Sequence, residues 1–238
     1  MKALLVMAHP DDEVIFGWPI MQNARFEKQL IMLVSDRDNP ERRWCTKRME
    51  PLAEICRAHD VGYTCLDFNS EFYRTPYRRA DLVMNDIYAA ANRAIDEAVK
   101  TFKPDLIFTH NPHGEYGMFD HRIVFDIVFR NVGVLNLCVT DICERHGGWP
   151  SHDRIPQAEY DLYYRNSPSV NAALLSHFYV SCKSLYESYG CWTWKDDVPP
   201  VYPVPSCGLY VLRSEPGFDL SGFGRVIAAC GDHSPVAV

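Results

Sequence analysis

The first residues able to do chemistry are His9, Asp11, Asp12 and Glu13, within the run His9-Pro10-Asp11-Asp12-Glu13. Neutral imidazole and carboxylate are the pair that suits zinc or another divalent first-row metal, and one His with one Asp supplies two thirds of a three-ligand catalytic shell. A third ligand has to come from elsewhere. The richest source is the stretch 109–121, which carries His110, His113 and His121 together with Glu115 and Asp120. Asp120-His121 is the expected origin of the remaining ligand, with Asp120 or a backbone group fixing the imidazole from behind. Such a metal brings the pKa of a bound water toward neutrality and polarises an amide carbonyl, while a carboxylate within reach takes the water's proton during attack. The adjacent Asp11 and Asp12 suit that division of labour, because from a turn they point in different directions. Glu13 reads as a supporting residue at a helix N-terminus, where negative charge is favourable.

These groups have to be carried to one place. Residues 3–7 form a continuous apolar run, the pattern of a strand buried on both faces, and 30–34 and 105–109 repeat it, with 63–68 a weaker case. Helical spacing of apolar residues occupies 40–59 and 81–102, and 120–130 reads as another helix. Strand and helix therefore alternate, which predicts a layered α/β fold with a mainly parallel sheet. Both histidine-bearing segments follow strands, at the carboxyl edge where open α/β sheets hold ligands.

Beyond about residue 145 prolines become frequent, tyrosines and tryptophans dense, and the periodicity weak. No repeat or linker marks a boundary, so the 238 residues read as one domain, a core of about 1–145 with an irregular C-terminal lobe of about 146–238 packed on it. A formal net charge of −7 argues against a surface built for nucleic acid or anionic lipid, which leaves a small molecule as the expected partner. Nine cysteines without a C-x-x-C spacing read as reduced thiols. The apolar opening stops at His9 with no cleavage-type segment after it, and no stretch approaches a membrane span, so a cytoplasmic protein is expected.

The segments Ala8-His9-Pro10-Asp11-Asp12-Glu13 and His110-Asn111-Pro112, continuing through Gly114-Glu115-Tyr116-Gly117 to Asp120-His121, resemble the two signature motifs of the LmbE/PIG-L family of zinc-dependent N-deacetylases. The resemblance covers about residues 1–130. It implies a Rossmann-like fold in which His9, Asp12 and His121 bind zinc, ferrous iron fitting the same ligands, and Asp11 serves as general base. It also implies N-acetylated sugars and their conjugates as substrates; a nucleotide sugar would in addition bring a phosphate for basic residues to meet.

Two departures stand out. The family pattern G-H-x-x-H reads Gly117-Met118-Phe119-Asp120-His121 here, and a thioether neither stabilises an oxyanion nor protonates an amine. Either His113 or, in reserve, His110 supplies the imidazole, or the zinc alone carries the oxyanion, or the protein binds metal with weak or lost catalysis. The family's R-x-x-E reads Lys47-Arg48-Met49-Glu50, so Lys47 and Arg48 share the expected contact with substrate. Arg42 and Arg43 stand near them, and Arg74, Arg78 and Arg79 form a second basic group suited to a substrate phosphate or carboxylate. Tyr186, Tyr189, Trp192, Trp194 and Tyr202 read as core, with stacking on a sugar ring as the alternative.

Overall fold

Continuous apolar strands need cover on both faces, and that requirement arranges the molecule. The computed structural model describes residues 1–35, 46–69, 77–131, 135–142, 157–192, 194 and 204–229. β1 (Lys2–Met7) is an interior strand of a seven-stranded sheet of order β3-β2-β1-β4-β5-β7-β6. Its parallel neighbours are β2 (Glu27–Val34) and β4 (Leu106–Thr109), flanked in turn by β3 (Val61–Phe68) and β5 (Asn136–Thr140). The last two positions belong to an antiparallel pair, β6 (Ser169–Ala173) and β7 (Ser206–Arg213), with β7 against β5.

Alternate residues of β1 enter opposite cores. Ala3, Leu5 and Met7 meet α1 (Asp12–Ile15), α2 (Trp18–Met21), α3 (Met49–Ala58), α8 (Ser176–Ser188) and α9 (Leu220–Ala228) through Val14, Trp18, Leu52, Phe178 and Phe223. Leu4 and Val6 meet α4 (Tyr77–Phe102) and α6 (Phe119–Asn131) through Ile87, Ala91, Ile95, Ile123 and Ile127. Two short elements complete the chain order, α5 (Gly114–Gly117) and α7 (Gln157–Tyr164). Among the described residues no helix is long and apolar enough to cross a membrane.

The predicted strands and helices of the first half are present with small shifts of boundary. The helix expected over 40–59 is observed as a 3₁₀ turn at Thr46–Arg48 followed by α3, its earlier part lying outside the described residues. Pro51 falls in the first turn of α3, where a missing N–H costs no hydrogen bond. The later chain is more regular than its texture suggests, because β6 and β7 extend the main sheet and α8 and α9 cover one of its faces. β5 is absent from the sequence reading, being five residues long and opening on a polar residue, Asn136, whose side chain bonds the Asp105 carbonyl and the Glu215 N–H.

Leu5 is fully buried at the centre of the larger core, so Leu5→Ala should lower unfolding free energy by about 2 to 5 kcal/mol in urea titration. A loss below about 1 kcal/mol would contradict this packing.

Candidate metal and catalytic site

β1 and β4 are paired with Val6 opposite Thr109, so both chains leave the sheet side by side. After β1 the chain turns at once: His9 N–H donates to Asp12 Oδ2 at 2.7 Å, and Asp12 N–H returns to the His9 carbonyl at 3.1 Å. Asp11, between them, takes a left-handed backbone with φ 98° and opens α1. Its N–H is accepted by Glu13 Oε2 at 2.9 Å.

After β4 the chain is held by two buried side chains. Asn111 Oδ1 accepts the N–H groups of His113 and Glu115, while its amide donates to the Ile142 carbonyl. Glu115, at φ 56°, turns its carboxylate back: Oε1 takes the Asn111 N–H at 3.0 Å, and Oε2 meets His110 Nδ1 at 3.0 Å and His121 Nδ1 at 2.6 Å. The rings of His110 and His121 stack at 3.9 Å. His110 Nε2 takes the Ala8 N–H at 3.0 Å and lies 3.2 Å from Asp12 Oδ2, which ties the two strand ends together.

His9, Asp12 and His121 converge, each offering one ligand atom, all within 4.8 Å of one another. His9 Nε2 is engaged by Asp120 Oδ2 at 2.8 Å and its Nδ1 lies 3.4 Å from Asp12 Oδ2. His121 Nε2 is buried, makes no hydrogen bond, and has Asp12 Oδ1 at 3.5 Å. A buried imidazole nitrogen facing a carboxylate, its other nitrogen already held by a second carboxylate, is the donor arrangement a divalent cation accepts. The set therefore fits a metal ion.

The electrostatics point the same way. Burial opposes charge on Asp12, but the imidazoles of His121, His110 and His9 hold its carboxyl well below the usual range. Burial, with His110 beside it, keeps His121 below its ordinary value, so it stays neutral and able to coordinate. Against burial, Asp12 and Asp120 raise His9 to about 10, a proton answering the cluster's demand for positive charge. Glu115 is held down to about 2 by His110 and His121 despite its burial. Burial pushes Asp11 up to about 6 although Arg48 opposes it, so this carboxylate is ionised at neutral pH yet basic enough to accept a proton.

The other expected residues separate. Arg48 is buried, with Nη2 3.1 Å from Asp11 Oδ2 and Nη1 donating to the Pro10 carbonyl at 3.2 Å, whereas Lys47 is exposed. His110, 1% exposed, lies beneath His121 rather than at a surface. The His113 ring sits 5.9 Å from Tyr163 and 6.0 Å from Tyr164, with no ring contact to the His9, His121 and His110 group. Met118 is half-buried between α5 and α6. Arg78 and Arg79 open α4, their side chains lying outside the described residues, as do Arg42, Arg43, Arg74 and Tyr202.

Several participants have roles that the sequence does not specify. Glu115 is the chief one, visible as a carboxylate of the second motif but not as the bridge between His110 and His121. Trp194 Nε1 donates to Asp11 Oδ2 at 3.2 Å from 183 residues away, and Tyr186 OH donates to Glu13 Oε1 at 2.7 Å from 173 residues away. Phe16, Tyr116 and Trp194 form an aromatic wall, with Phe16 and Tyr116 at 5.4 and 5.5 Å from the His121 ring.

Residues 4–132 match the family model described as PIG-L, GlcNAc-PI de-N-acetylase. No curated protein matches the chain in sequence. Solved structures of similar fold include the zinc-inhibited form of teicoplanin deacetylase Orf2, with 13% identity, 79% of this chain and 84% of that one covered, and a TM-score of 0.57. A40926 pseudoaglycone deacetylase Dbv21 shares 14% identity, with coverage of 87% and 96% and a TM-score of 0.58. A deacetylase–teicoplanin complex shares 12%, with coverage of 90% and 100% and a TM-score of 0.59.

Breaking a buried, hydrogen-bonded charge cluster by removing one charge is costly. Glu115→Gln should lower unfolding free energy by about 3 kcal/mol in urea titration at neutral pH. An unchanged midpoint would mean that the carboxylate is not the ionised bridge between His110 and His121.

Proposed function

The chain belongs to the PIG-L family, and on that premise we propose that it is a metal-dependent N-deacetylase removing acetyl from an N-acylated sugar or sugar conjugate. The observation that carries this reading is the convergence of His9, Asp12 and His121 beside the Asp11 carboxylate. A divalent cation held by those three residues, zinc first and ferrous iron as the alternative, supplies a Lewis acid for the amide carbonyl and for water. Glu115 holds His121 by Nδ1 so that Nε2 faces the cluster, and Asp120 holds His9 by Nε2 so that Nδ1 faces Asp12.

Asp11 accepts the proton of the attacking water. Arg48 keeps this carboxylate ionised while burial keeps it basic, the combination a general base needs near neutral pH. The departing amine then needs a proton, and Met118 has none to give. Asp11 holds one after the attack and stands beside the cluster, so it returns that proton to the amine nitrogen. His113, with its ring against Tyr163 and Tyr164, is the second candidate for this step. The aromatic wall of Phe16, Tyr116 and Trp194 limits water at the site, which strengthens each charge interaction within it.

The family description names an N-acetylglucosamine conjugate, which supports a sugar-conjugate substrate, and the neighbours of similar fold are described as deacetylases of teicoplanin and of A40926 pseudoaglycone. Arg48 is occupied by Pro10 and Asp11, so Lys47, Arg78 and Arg79 are the basic residues we assign to an anionic group on the substrate. The six described cysteines are free thiols, as suits a reducing compartment such as the cytoplasm.

Metal-loaded protein should release acetate from at least one of N-acetylglucosamine, UDP-N-acetylglucosamine and N-acetylglucosaminyl phosphatidylinositol. Stoichiometric metal with no acetate from any of them would favour a binding protein with lost catalysis. Asp11→Asn should keep its metal and lose about a hundredfold or more in kcat. His113→Ala should stay within about threefold of the parent, and a loss as large as that of Asp11→Asn would give the amine's proton to His113 instead.

A further inference from the structure

Asp11 is held from two sides by the part of the chain that the family resemblance does not cover. A non-glycine residue at φ 98° carries strain of roughly 1 to 3 kcal/mol and persists only where its surroundings impose it. Here the imposing group is Glu13, whose Oε2 accepts the Asp11 N–H, and Glu13 is itself fully buried. Its other oxygen takes the hydroxyl of Tyr186, a buried residue of α8. The side chain of Asp11 is held separately. Trp194 donates to Oδ2 and Arg48 is ion-paired with the same oxygen, which leaves Oδ1 as the oxygen able to accept a proton. Trp194 is in turn set edge-on against Phe16 at 5.9 Å and Tyr116 at 5.7 Å, so its N–H has a fixed aim.

Trp192 makes the contrast. It packs against Tyr179 and Tyr186 and its buried Nε1 makes no hydrogen bond, as a residue used for bulk does. Were Tyr186 and Trp194 used for bulk alone, their polar atoms would not both end on one turn of five residues on the far side of the sequence.

We infer that Trp194 and Tyr186 are positioning residues for Asp11, Trp194 holding its carboxylate and Tyr186, through Glu13, its backbone. This rests on the reading of Asp11 as the proton acceptor. The first strand and its turn supply the reactive group, and the later lobe aims it. Neutral donors suit the task, since they orient the carboxylate without adding a further charge to the one Arg48 already brings.

Trp194→Phe and Tyr186→Phe retain an aromatic ring and delete the donor. With the N-acetylglucosamine conjugate turned over fastest in the panel above, each should lose about tenfold in kcat, with KM and metal content within about twofold. The decisive readout is the combination with Asp11→Asn. Residues that act only through Asp11 have nothing left to position, so neither substitution should lower the residual rate of Asp11→Asn further. Losses that multiply in the double variants, or full kcat in both single variants, would overturn the inference. Should Tyr186→Phe fold poorly, Trp194→Phe, which touches a half-buried ring, carries the test by itself. A fully active Asp11→Asn protein would instead remove the assignment of Asp11 on which this inference stands, an outcome distinct from active Phe variants beside an inactive Asp11→Asn.

Discussion

The carboxylate of Glu115 is the contact on which the site depends. One buried side chain accepts the backbone N–H of Asn111 and engages Nδ1 of both His110 and His121. Each link does a different job: the first closes the loop after β4, the second bonds that loop to the end of β1 through His110 and Ala8, and the third directs His121 Nε2 toward Asp12. A buried carboxylate is expensive unless every oxygen is satisfied, and three donors in a water-poor site meet that condition. The backbone accepts a positive φ at Glu115 itself to bring the carboxylate round. Local strain is exchanged for a rigid set of donor atoms, the usual arrangement where geometry has to be held within fractions of an ångström.

Much of the fold was legible because β1, β2 and β4 are buried on both faces, which writes an unbroken apolar run that no other element of their length produces. β3 was fainter because its tyrosine and threonine face solvent at the sheet edge. β6 and β7 escaped notice for a related reason. They are antiparallel and near an edge, and their pattern of burial is broken by half-exposed positions. The prolines of the later chain read as disorder of pattern, whereas several of them stand between regular elements.

The reactive groups themselves were legible from type and spacing, since two short segments after two strands concentrate histidine and carboxylate as few surface loops do. Their support was not. Tyr186 and Trp194 meet the first turn from more than 170 residues away, and no local pattern encodes such a contact. The Lys47-Arg48 pair shows the same limit, because only the course of the 3₁₀ turn before α3 decides which cation points inward. His110, expected near substrate, is instead the buried link between two strand ends, a role that its position one residue after β4 makes natural in hindsight.

The account stands on a metal ion in the space between His9, Asp12 and His121. A crystal structure of the zinc-loaded protein, with anomalous data collected at the zinc edge, tests it most directly. The expected result is one strong peak within about 2.0 to 2.2 Å of a ligand atom from each of the three residues. Zinc bound stoichiometrically elsewhere, with His121 Nε2 still facing Asp12 across an empty space, would contradict it.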